Sequence, residues 1–180
     1  YSLYQNGLFR TYAYPPQFNS ANLSIRSFVN RGPEKVIGSR DGLFYINEAT
    51  GIVKSFVKPV LTSDLILTIC FYEGEYYIGT YGGGMMVLNP QTLSLKYFTQ
   101  GDTELFQKGH IFCVKPDNRG NLWIGTSQGL FCYNGQTKQI KNFTSTNSQL
   151  PEGNVYEVSF DSTGKGWIAT ETGMCIYDPA

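Results

Sequence analysis

The five residues from Gly125 to Gly129, GTSQG, have the spacing of a hydrolase nucleophile elbow. That chemistry needs a serine on a strand-to-helix turn, a base to take its proton and an acid to orient the base. Ser127 instead lies between two apolar runs that read as strands. The corresponding turns elsewhere hold SRDG, TYGGG and TETG, so the slot accepts Arg, Tyr or Glu and a serine nucleophile is not expected. His110 is the single histidine, too few for a multi-histidine metal site, and reads as a solvated or capping residue at the start of a strand. Gly82-Gly83-Gly84 suggests a phosphate cradle, but no Lys-Ser/Thr follows and no helix is predicted after it. DNRGN and DSTGK lack the spaced acids and closing Glu of a calcium loop, and read as hairpin turns. Cys70, Cys113, Cys132 and Cys175 stand far apart inside apolar runs, as small buried hydrophobes rather than metal ligands or disulfides. The glycosylation patterns at Asn22 and Asn142 receive no role. No catalytic residue, metal ligand or cofactor is assigned.

Composition points the same way. Lys plus Arg equals Asp plus Glu at 14 each, so no net field draws the chain to nucleic acid or an anionic membrane. Binding must come from local geometry. The 180 residues suffice for one domain with a sizeable core, and the aromatic share of 15% with 20 dispersed glycines favours strands and turns over helices. No apolar run is long enough to span a bilayer and no signal peptide is visible. The chain opens on Tyr1 rather than Met, and reads as a mature piece or an excised segment.

The elements that must position any site are repeated. KVIGSRDGLFYIN, YYIGTYGGGMMVLN, LWIGTSQGLFCYN and GWIATETGMCIYD align on Gly38, Gly79, Gly125 and Ala169, at intervals of 41, 46 and 44 residues. Each unit opens with an alternating strand (SIRSFVN, ILTICFY, HIFCVKP or VYEVSFD), followed by a tight polar turn, the second strand, a Gly-closed turn and a third strand. A fourth strand, IVKSFV, LSLKYFT or QIKNFTS, completes three units. Four antiparallel strands per unit of this length is the blade of a β-propeller, so the expected fold is all-β. A lone four-stranded sheet would leave apolar surface wet, so blades must stack. Strand alternation puts Val36, Tyr77, Trp123 and Trp167 on the same face as the small residue two positions on. Trp123 and Trp167 are therefore expected to pack between blades. The expected division is the end of a preceding blade at 1–21, blades at 22–60, 64–104 and 108–150, and an incomplete blade at 152–180. The N-terminal stretch reads as a strand, an Asn6-Gly7 hairpin and another strand. It is either part of a larger propeller or the strand that closes a four-bladed ring.

DNRGNLWIGTSQGLFCYN, with IGTYGGGMMVLNP and DSTGKGWIATETGMCIYDP, resembles the two-component regulator propeller repeat of bacterial hybrid two-component systems. The similarity runs from Asn22 to Pro179 and is weakest in the first unit, where Val36 replaces the usual Trp. The resemblance implies a seven-bladed propeller in a periplasmic sensor region. It implies oligosaccharide sensing and a membrane helix and histidine kinase outside this segment. A homodimer formed through the full-length protein is expected, with the membrane reached only through a segment not present here.

In a propeller, turns between second and third strands share one face with the loops entering each blade. That face would present Arg40, Asp41, Tyr81, Ser127, Gln128 and Glu171 from the former, and Asn22, Asp64, His110 and Asn154 from the latter. Arg40, Tyr81, His110, Gln128, Asn154 and Glu171 are the candidate ligand-binding residues. Tyr81, which breaks the repeat in a widened turn, is the best sugar-stacking candidate. The mix suits a hydroxyl-rich ligand and equally an ordinary solvated rim. The expected function is ligand sensing by binding. The alternative is a structural or protein-interaction propeller without a small-molecule site.

Overall fold

The computed structural model of the chain describes residues 2–5, 8–11, 24–101 and 103–179. Strands β1 (Ser2–Gln5) and β2 (Leu8–Thr11) pair antiparallel in a two-stranded sheet of their own. The turn expected at Asn6-Gly7 lies outside the described residues, as does Asn22. The first four-stranded sheet holds β3 (Ile25–Arg31), β4 (Glu34–Ser39), β5 (Leu43–Asn47) and β6 (Ile52–Phe56). The second holds β7 (Ile66–Tyr72), β8 (Glu75–Thr80), β9 (Met85–Leu88) and β10 (Leu95–Tyr97). A short helix, α1 (Thr103–Lys108), precedes the third sheet of β11 (Ile111–Pro116), β12 (Asn121–Thr126), β13 (Gly129–Asn134) and β14 (Ile140–Phe143). The fourth sheet has three strands, β15 (Val155–Phe160), β16 (Gly166–Thr170) and β17 (Met174–Tyr177). All four are antiparallel meanders that resemble propeller blades. β1 and β2 pair with each other and do not extend the β15–β17 sheet, so the ring closure weighed from the sequence is not formed by that pairing.

Local chemistry explains the meanders. Gly32, Gly74, Gly120 and Gly164 take positive φ in the turns between first and second strands, where a Cβ would be strained. At the ends of β5, β9 and β13, the side-chain oxygens of Asn47, Asn89 and Asn134 each accept two backbone N–H bonds from the next turn. The helix was not foreseen. It lies in the longest repeat interval and buries Leu105 and Phe106, with Glu104 in its first turn and Lys108 in its last to suit the helix dipole.

Sheets stack through their first and second strands. Apolar clusters fill each gap, around Tyr45 and Ile78 for the first and second sheets, Tyr77 and Phe131 for the second and third, and Trp123 and Ile168 for the third and fourth. The small residue of the second strand sits where the neighbouring sheet presses closest. A Cβ on Gly38 would meet Ile66, one on Gly79 would lie 2.7 Å from Ile111 Cγ2, and one on Gly125 would lie 2.6 Å from the Val155 carbonyl oxygen. Each contact is with the opening residue of the next sheet's first strand. Trp123 is 2% exposed and packs against Phe143, Phe160 and Tyr177. Trp167 departs from the expected packing and is 42% exposed, because among the described residues no further sheet packs on its face of the fourth sheet.

Candidate functional site

One hydrogen bond recurs in every unit and fixes the geometry of a single face. The turn after each second strand donates a backbone N–H to the carbonyl just before or at the entry of the same sheet's first strand: Arg40 to Ser24 (3.1 Å), Tyr81 to Leu65 (3.0 Å), Ser127 to His110 (3.2 Å) and Glu171 to Asn154 (2.9 Å). The two loop families therefore lie side by side.

Each first strand also carries a register irregularity at the same place, between Ile25 and Ser27, Ile66 and Thr68, Ile111 and Cys113, and Val155 and Glu157. A bulge re-aims the residue it leaves unpaired. Those residues are Arg26, Leu67, Phe112 and Tyr156, and with Ser24 and Ile25 they line one depression of about 510 Å³. All four sheets thus contribute to one shared depression. The residues after the first two bulges bind the following sheet. Ser27 Oγ accepts the Ile69 N–H (2.9 Å), and Thr68 Oγ1 accepts the Val114 N–H (3.3 Å).

Aromatic rings form a row along the rim. Tyr81 stacks on His110 with centroids 4.0 Å apart, His110 lies 6.1 Å from Phe112, and Phe112 meets Tyr156 edge-on at 5.1 Å. Tyr81, 51% exposed, stands on a fixed turn. Thr62 Oγ1 donates to the Gly83 carbonyl (2.6 Å), Ser63 Oγ to the Tyr81 carbonyl (2.8 Å), and the Gly84 N–H to the Gly109 carbonyl (3.0 Å). The loop before the second sheet and the segment after its fourth strand clamp that turn from both sides.

The sequence candidates divide accordingly. Tyr81 and His110 are brought together. Asn154 joins the rim by donating its side-chain N–H to the Tyr156 hydroxyl (3.1 Å), while a Glu171 carboxylate oxygen accepts the Asn154 backbone N–H (3.3 Å). Arg40 is exposed on the turn beside Ser24. Gln128 lies apart, in a groove of about 260 Å³ between Ser127–Gly129 and the loop through Leu150, Pro151 and Glu152. Asp64 serves its own loop, accepting the Lys58 N–H at 2.8 Å. His110 is only partly solvated. It is half-buried between Tyr81 and Phe112, and its Nδ1 is shielded and lacks a hydrogen-bond partner among the described residues. Sequence reasoning missed Arg26, Leu67, Phe112 and Tyr156. Their one signal is a column of dissimilar residues following Ile, Ile, Ile and Val in the aligned first strands.

Two kinds of reactivity lack the geometry. Ser127 lies in the turn between β12 and β13, with no helix following it. Burial pushes the thiols up, Cys70 to about 11, Cys113 to about 12 and Cys132 to about 11, so little thiolate is present near neutrality. No group of three or more His, Cys, Asp or Glu side chains is placed to hold a metal among the described residues.

The model of the two-component regulator propeller matches residues 106–128. The extracellular domain of a putative hybrid two component system from B. thetaiotaomicron is 28% identical, with a TM-score of 0.68 over 95% of this chain and 23% of that one. The chain resembles the periplasmic sensor propeller of bacterial hybrid two-component histidine kinases. A second such extracellular domain from the same organism matches at 22% identity and a TM-score of 0.71, over 86% of this chain and 21% of its own. PorZ, a bacterial surface component of the type-IX secretion system of Porphyromonas gingivalis, shares the fold at a TM-score of 0.73 and 16% identity, over 95% of this chain and 28% of that one. The chain thus spans less than a third of each of these relatives. No curated protein sequence matches it.

Proposed function

We propose that this segment is part of an extracytoplasmic sensor propeller that binds an oligosaccharide at its axial mouth and signals to a histidine kinase carried elsewhere in the full-length protein. The observation that carries the reading is the aromatic row Tyr81–His110–Phe112–Tyr156, whose Phe112 and Tyr156 end lines a depression shared by all four sheets. Ring faces suit the C–H faces of pyranoses, and Ser24, Asn154 and Glu171 add hydroxyl, amide and carboxylate partners for sugar hydroxyls. Binding would act by favouring one packing of blades or protomers over another. A larger ring belongs to the same proposal, because the fourth sheet presents Trp167, Met174 and Ile176 on an open face at the repeat phase that is covered between the other sheets.

Calorimetric titration of the chain with an oligosaccharide panel tests the reading. Tyr81→Ala and Tyr156→Ala are expected to weaken binding roughly threefold to tenfold each while melting as wild type does. Unchanged affinity in both variants would overturn the assignment. That same open face favours a second reading, an interaction propeller that associates through its fourth sheet, including a homodimer of the full-length protein. Unchanged affinity together with concentration-dependent sedimentation would support it.

A further inference from the structure

The walls of the shared depression differ in chemistry. The third and fourth sheets supply the rings of Phe112 and Tyr156, whereas the first supplies the bulged Arg26 beside Ser24. Arg40 adjoins it, on the turn whose N–H binds the Ser24 carbonyl. Arg26 and Arg40, like Lys54, Lys58, Lys108, Arg119 and Lys141, have no ion-pair partner among the described residues, but only Arg26 of these lines the depression. Two carboxylates of the fourth sheet are already engaged. Glu157 pairs with Lys115 at 3.0 Å, and Glu171 accepts the Asn154 N–H. A guanidinium is planar, permanently charged and forked to hold both oxygens of a carboxylate. Here it shares a depression with aromatic faces. The combination fits a flat anion mounted on a body with an apolar face.

Resting on the reading that this mouth binds an oligosaccharide, we infer that the ligand class is acid-bearing: an oligosaccharide containing a hexuronate. Arg26 holds its carboxylate, Arg40 adds the second positive charge, and Tyr156 with Phe112 receives the sugar face. Arg26 sets specificity and the rings supply general affinity. The bulge is what makes this possible, because in regular alternation a residue between Ile25 and Ser27 would take its place in the β3 ladder instead of being turned out of it.

The test titrates the chain with tetramers of galacturonate and of mannuronate, the methyl esters of both, and a neutral tetramer of galactose. A free acid is expected to bind about tenfold tighter than its ester, with a preference that shrinks as salt is raised. Arg26→Gln is expected to erase the acid-over-ester preference by weakening the acid more than the ester, and Tyr156→Ala to weaken acid and ester alike. Equal affinity for acid and ester overturns the acid-bearing class, and a preference that survives Arg26→Gln overturns the role of Arg26, each leaving the oligosaccharide reading intact. If neither acid binds but other sugars do, the acid-bearing class alone is overturned. If no sugar of the wider panel binds, the oligosaccharide reading falls with it.

Discussion

Asp117 shows how one side chain can hold both a turn and a blade interface. One carboxylate oxygen accepts the backbone N–H groups of Arg119 and Asn121, and the other accepts Asn121 Nδ2 and, at 2.9 Å, Trp123 Nε1. Burial works to raise its pKa, but the bonds from Asn121, Trp123 and the backbone prevail and hold the carboxyl below its ordinary value. The unfolded chain therefore takes up this proton first. Its contribution to stability is full above the ordinary Asp range of about 3.9 and is lost as pH falls through the depressed folded value. Asp117→Ala should cost about 1–3 kcal/mol at pH 7, and the gap to wild type should narrow in denaturant titrations as pH falls below the ordinary Asp range. The sequence disclosed DNRGN as a turn. It did not disclose that Asp117 reaches the Trp123 indole, because that bond requires β11 and β12 to be paired first.

At the scale of elements, the sheets were legible because alternation, Gly-bearing turns and the Asn-closed third strands are short-range features that one strand pair can satisfy. The bulges were not. The residues that follow Arg26 and Leu67 bind the next sheet, Ser27 Oγ accepting the Ile69 N–H and Thr68 Oγ1 the Val114 N–H, and partners a repeat away leave no mark within one strand. Latches between sheets were equally hidden. The Tyr72 hydroxyl of β7 donates to the Gly120 carbonyl at 2.7 Å and accepts the buried Gly135 N–H at 2.9 Å, tying the second sheet to two turns of the third. Glu34 does the same for the first and second sheets, accepting from Tyr45 and Tyr76 at 2.9 Å each. Tyr72→Phe keeps the ring but strands the Gly135 N–H. It should destabilise by about 1–3 kcal/mol, read from the urea midpoint at unchanged slope.

For the whole molecule, position in the stack overrides sequence identity. Trp123 and Trp167 occupy the same slot of their units, yet one is sealed between sheets and the other faces outward. Trp123→Ala should cost about 3–5 kcal/mol, whereas Trp167→Ala should cost under about 1 kcal/mol in this chain, and equal losses in thermal unfolding would contradict the stacking order. By itself the sequence determined the repeat, the four-stranded meanders, the glycines at close approach and the loops that share a face. Each of these follows from periodicity and turn chemistry within a few tens of residues. Only the tertiary structure decided which aromatic residues reach the shared depression, that His110 is stacked on Tyr81, and that GTSQG is a turn whose Ser127 N–H serves the His110 carbonyl. The physical reason is that the shared depression and the Tyr81–His110 and Phe112–Tyr156 contacts form between sheets. Their partners lie one repeat apart, where no pattern within a single strand can register them.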